Sequence, residues 1–225
     1  MNPYNKYKRT IFSWSIYDFA NQPFTTITIT FIYSTFFAST IFLGTEEEGV
    51  AAWGKAITIS SLIVAFLSPI MGAIADRGGF RKVFLIFWTW ICVVFSFMLY
   101  YPMPGDVFNA LLFFCIANIG FEMGGVFLNA YLPEIAPKDK IGRISGYGWS
   151  FGYVGGLLAL AVCFVFLVFP EQPINPLTGN YFDKESYEHI RIINVLIAVW
   201  LAVFSIPTFL FVKGSSKKNK EKKGI

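Results

Sequence analysis

Six stretches of this chain are apolar for long enough to cross a lipid bilayer, and that fact alone removes most folds from consideration. A spanning helix needs about 20 mostly apolar residues to cover roughly 30 Å of hydrocarbon. The stretches lie at residues 11–43, 50–75, 83–101, 107–132, 144–169 and 192–212. They are continuous apolar runs rather than the short alternating segments of a lipid-facing barrel, so helices are the expected spanning form. With 55% apolar and only 14% charged residues, little polar surface is left over to clothe a water-soluble core. The expected fold is an all-α membrane protein of six transmembrane helices over residues 1–212, followed by a basic tail or linker over residues 213–225.

Nothing in Met1–Arg9 looks like a signal peptide, and the first apolar run is too long for a signal core, so it reads as helix one. Basic residues are segregated. Lys6, Lys8 and Arg9 precede helix one; Arg77, Arg81 and Lys82 follow helix two; Lys138, Lys140 and Arg143 follow helix four; and six lysines end the chain. Of the 18 lysines and arginines, only Lys55, Lys184 and Arg191 fall on the opposite side. The positive-inside rule then places both termini in the cytoplasm of a cell membrane, plasma or inner. A basic tail of this kind is explained by topology, and no nucleic-acid partner is expected.

Cys92, Cys115 and Cys163 lie within spans as small hydrophobes, and His189 has no second histidine to share a metal with. No cofactor, metal or catalytic group is expected. The spans carry neither an HExxH pair nor a convergent Ser/His or Asp/Asp set, which argues against an intramembrane enzyme.

The residues that need explaining are Asp18 and Glu122, carboxylates embedded in apolar helices where each costs about 2.5–3.5 kcal/mol on insertion scales. Counting 1.5 Å per residue from opposite helix ends puts both at similar depth, in the cytoplasmic half. Asn21 follows Asp18 by three residues and Asn118 precedes Glu122 by four, so each carboxylate has an amide on its helix face; Asn129 continues the second face. Thr25, Thr28 and Thr35 extend the first stripe beyond Pro23, whose missing N–H frees a carbonyl. Together these read as the wall of a substrate or proton pathway. The plainer alternative makes Asp18 an interfacial N-cap, with Trp14 and Tyr17 as belt aromatics.

Gly148, Gly152 and Gly156, with Gly155 and Ala159 beside them, leave one face of helix five almost without relief; Ser61, Ala65, Ser68 and Gly72 trace a comparable stripe on helix two. Such faces admit close backbone approach, for static packing or for a sliding interface.

Between helices two and three runs Gly72-x-x-x-Asp76-Arg77-Gly78-Gly79-Phe80-Arg81-Lys82, in which the glycines permit a tight reversal and Asp76 can pair with Arg77 or Arg81 or cap a facing helix. It resembles the cytoplasmic signature of the major facilitator superfamily, where such a cluster steadies the outward-facing state. Phe80 stands where relatives usually carry a basic residue. Two further stretches, Trp14-Ser15-Ile16-Tyr17-Asp18-Phe19-Ala20-Asn21 and Leu132-Pro133-Glu134-Ile135-Ala136 with Gly142 to Tyr153, resemble the vacuole-effluxer-like branch of that superfamily. The fourth-helix arginine of many proton-coupled members is missing from Asn118–Gly125.

The resemblance implies an N-terminal six-helix half of a secondary transporter. It would move a small solute, with amino acids and protons as the implied cargo and coupling ion, and would be completed by a second half or a second copy. The competing expectations are a non-transporting membrane subunit and an inactive truncated transporter.

Overall fold

The computed structural model describes residues 3–175 and 178–212; the tail expected over residues 213–225 lies outside the described residues. The described residues are almost entirely helical, with six helices long and apolar enough to span a membrane: α1 (Tyr7–Ile41), α2 (Glu46–Gly78), α3 (Arg81–Met98), α4 (Val107–Ile135), α5 (Lys138–Val168) and α6 (Glu188–Phe211). The six expected spans are all present. Five of the six helices begin earlier than their apolar runs, because an apolar run marks the hydrophobic span and not the helix start.

α2 illustrates this. Thr45 Oγ1 accepts from the Glu48 amide at 3.3 Å while Glu48 Oε2 accepts from the Thr45 amide at 3.1 Å. That reciprocal box satisfies two orphan donors, and Glu46, Glu47 and Glu48 sit at the positive end of the helix dipole. At the other end Gly79 adopts a left-handed φ of 72°, which ends the helix with its N–H on the Ala75 carbonyl.

α1 is helical without a break through Asp18, so the N-cap reading of Asp18 is incorrect. After Pro23 the helix widens into π-type turns at Phe24–Phe31 and Phe37–Ile41. The local cause is a Thr- and Ser-rich run whose hydroxyls bond back to the chain, as in Thr30 to the Thr25 carbonyl and Ser39 to the Thr35 carbonyl. Proline at position 23 cannot donate to the carbonyl four residues earlier, that of Phe19. The indole N–H of Trp200 on α6 takes that place at 3.1 Å.

α1 packs along α5 and α6, α3 along α4 and α6, and α2 leans on α4. α1 and α4 are the structural centre. Trp14 donates to the Leu128 carbonyl at 2.9 Å, Tyr17 shares a hydrogen bond of 2.6 Å with Thr89 on α3, and Thr28 donates to Asn194 on α6 at 3.1 Å. In a bilayer, where helices gain no hydrophobic driving force from meeting each other, such bonds and close packing hold a bundle together. Trp14 and Tyr17, each 1% exposed, are therefore internal braces rather than belt aromatics.

Candidate functional site

A cavity of about 410 Å3 opens between α1, α4 and α5. α1 contributes Trp14, Asp18, Asn21, Gln22 and Thr25; α4 contributes Phe121, Glu122, Gly125, Val126 and Asn129; α5 contributes Ser145, Trp149 and Gly152. The helical periods explain the selection. On α1 the positions 14, 18, 21 or 22, and 25, and on α4 the positions 122, 125 or 126, and 129, follow one another by three or four residues, so each set occupies one stripe of its helix.

Four of the five expected pathway residues, Asp18, Asn21, Glu122 and Asn129, meet in this cavity. Asn118 does not. It is buried, and its amide donates to Ser60 on α2 at 2.8 Å, so it ties α4 to α2 instead of sharing the face of Glu122. The polar stripe of α1 divides in the same way: Thr25 faces the cavity, whereas Thr28 is bonded to α6 and Thr35 bonds back to the Phe31 carbonyl. Trp149, Gln22 and Ser145 are lining residues that the pattern of intramembrane charge passes over. For Trp149 and Ser145 the signal was their place beside the glycine stripe of α5; for Gln22 it was its place four residues after Asp18 on α1.

Glycines of α5 give Asp18 its room. A methyl group added at Gly148 would strike the Asp18 carboxylate and come within 2.9 Å of the Trp14 ring, and Gly152 lies against the Asp18 backbone and Cβ. At Gly155 the same methyl would collide with the Phe19 carbonyl and approach Phe19 Cα to 2.9 Å; at Gly156 it would meet Thr26 Oγ1 at 2.6 Å. The α1–α5 seam is thus close-packed backbone to backbone, with the cavity on its flank. Neither Asp18 nor Glu122 has an ion-pair partner among the described residues.

The expected gating turn forms a second polar cluster at the basic end of the bundle. Arg81 Nε bonds Asp76 Oδ1 at 2.6 Å, and Arg81 Nη1 reaches Glu134 Oε1 at 2.5 Å and the Ala130 carbonyl at 3.3 Å. One guanidinium therefore clamps the α2–α3 turn to the end of α4, using the planar fork that suits two carboxylates at once. Glu134 escaped the sequence reading, although the turns after α2 and α4 emerge on the same side and Pro133 starts the short turn that carries it. Arg77 and Lys82 form no ion pair among the described residues. Gly79 makes the reversal, whereas a methyl at Gly72 would meet nothing within 4 Å, so no close approach occurs there among the described residues.

A multi-pass, all-helical membrane bundle with an acidic, amide-lined cavity is the class of protein that this fold and site define. The chain belongs to the vacuole effluxer Atg22-like family, whose model matches residues 6–225. It is similar to a protein of Bacillus subtilis (strain 168) described as an uncharacterized MFS-type transporter, at 28% identity over 197 residues, 87% of this chain and 44% of that one. It is also similar to an uncharacterized protein of Aquifex aeolicus (strain VF5), at 33% identity over 118 residues, 52% of this chain and 30% of that one. The chain spans less than half the length of these relatives.

Proposed function

We propose that the chain supplies one six-helix half of a secondary transporter, in which a small solute crosses by alternating access around the cavity between α1, α4 and α5. In this reading Asp18, Asn21, Glu122 and Asn129 contact the solute or a coupling proton, the Asp76–Arg81–Glu134 clamp is a cytoplasmic latch, and both chain ends lie in the cytoplasm of the cell membrane. One observation carries it: two carboxylates without ion-pair partners among the described residues, on different helices, line the same cavity. Intramembrane carboxylates are costly, and they are retained where they meet water, substrate or a proton.

Support for a second unit, whether a second half or a second copy, comes from the surface. α2 leaves its small-residue face open, with Ser61 and Ala65 exposed and nothing within 4 Å of a methyl at Gly72, and in a bilayer such a face admits close approach of another helix. Amino acids enter as cargo only as what the resemblance to the vacuole-effluxer-like branch implies; the family's description speaks of efflux and names no solute.

The test is amino-acid flux into proteoliposomes holding this chain together with a second six-helix unit. Glu122→Gln and Asp18→Asn are each expected to lower the rate at least about tenfold, roughly 1.4 kcal/mol of barrier. Unchanged flux and unchanged pH dependence in both variants would contradict the role of the cavity. Equal flux without the second unit would contradict the half-transporter reading.

A further inference from the structure

Resting on the reading of this cavity as a solute site, we infer that its cargo carries a positively charged organic ammonium group, held between Asp18 and Glu122 with the Asn21 carbonyl as a further acceptor. The charge pattern of the lining is one-sided. Asp18 and Glu122 are its ionisable residues, and no lysine, arginine or histidine among the described residues lines the cavity. The two arginines carried by these helices are turned to other work: Arg9 stacks on the Phe211 ring at 4.2 Å, and Arg143 donates to the Tyr147 hydroxyl at 3.0 Å.

An independent observation points the same way. Asn21 is only 8% exposed, it lines the cavity, and its Oδ1 is buried with no hydrogen-bond partner. A buried carbonyl oxygen in that state is short of a donor, and leaving it so is costly. Thr25 Oγ1, also on the lining, is buried without a partner as well. An ammonium group brings N–H donors and a positive charge together. A ligand with a carboxylate and no ammonium would bring acceptors only and would face two like charges, whereas an amino acid would present its ammonium end to this wall.

The remaining walls suit the same guest. Phe121 and Trp149 present aromatic surface to the cavity, with Trp14 buried behind it, and aromatic faces attract ammonium groups through the ring quadrupole. Orphan acceptor, paired acids and aromatic walls select for a cation with an apolar body.

The test uses the full chain in nanodiscs of zwitterionic lipid, titrated calorimetrically at neutral pH with phenethylammonium, 2-phenylethanol and phenylacetate, and with empty nanodiscs as the control. The three probes share one ring body and differ in charge. Phenethylammonium is expected to bind at least about tenfold more tightly than either isostere. Asp18→Asn and Glu122→Gln should each weaken it several-fold while leaving 2-phenylethanol unaffected, and Asn21→Leu should weaken it less. Gly125→Trp serves to fill the cavity, because a side chain there starts into open space, and it should abolish binding of all probes.

If 2-phenylethanol or phenylacetate matches the ammonium, and Gly125→Trp still abolishes binding, the ammonium assignment is wrong while the cavity remains a solute site. If no probe binds above the control, or if Gly125→Trp changes nothing, both the assignment and the solute cavity fail. The probe comparison on the unmodified chain decides the matter even if a variant folds poorly.

Discussion

Two helices carry the same sequence device with opposite outcomes. The small-residue face of α5, built on Gly148, Gly152, Gly155 and Gly156, lies against the backbone of α1 so closely that side chains at three of these positions would collide with Trp14, Asp18, Phe19 or Thr26. On α2, a methyl at Gly72 would meet nothing, and the neighbouring Ser61 and Ala65 are exposed. A small-residue stripe thus specifies that a backbone can approach, while the partner is decided elsewhere in the sequence. On α1 the partner is prepared: Pro23 frees the Phe19 carbonyl, Trp200 caps it from α6, and Gly155 lets α5 close over the same spot. No such preparation faces α2 within the described residues.

This contrast can be broken by substitution. Gly155→Leu should be the most damaging change, forcing α5 away from Phe19 at a cost of about 3 kcal/mol, seen as a lower thermal midpoint in detergent. Wild-type stability in that variant would mean that the seam is not close-packed. Trp200→Phe leaves the Phe19 carbonyl without its donor and should cost about 1–2 kcal/mol, the penalty of an orphaned buried acceptor. Should Trp200→Phe prove neutral, the carbonyl freed by Pro23 has another donor.

Asn118→Ala removes the tie between α4 and α2 and is expected to cost about 0.6 kcal/mol, the mean for a hydrogen bond between membrane helices. It should leave solute flux intact, and a loss of flux comparable to that of Glu122→Gln would return Asn118 to the pathway. Gly72→Ala should be the quietest, within about 0.5 kcal/mol for the chain alone. Its effect is expected instead in association with a second six-helix unit, measured by energy transfer between labelled units in liposomes; unaltered association would remove the α2 stripe from the docking face.

Hydropathy made the bundle legible because spanning segments are set by a length requirement that the sequence displays directly. Helix starts were less so, since Thr45 and Glu48 act through local bonds that an apolar window ignores. The cavity was half visible. An intramembrane Asp or Glu announces itself by its cost, and helical spacing brought Asn21 and Asn129 along.

Asn118 was misplaced because a residue four positions from Glu122 is displaced by about 40° around the helix, enough for one side chain to face a neighbour and the other an opening. Trp14 was ambiguous for a related reason: an indole near a helix end suits an interface as well as a buried brace, and the deciding acceptor, the Leu128 carbonyl, is distant in sequence. Arg81 bridging Asp76 and Glu134 required two turns to be neighbours in space, which spacing along one turn does not reveal.

The central claim is that α1, α4 and α5 enclose water, and thiol labelling tests it most directly, because only a hydrated thiol ionises and reacts. In a chain freed of Cys92, Cys115 and Cys163, single cysteines at Gln22 and Val126 should react with a membrane-impermeant maleimide, while one at Ala198, buried on α6, should not. Inert cysteines at both cavity positions, alongside normal labelling of an exposed control, would contradict the account.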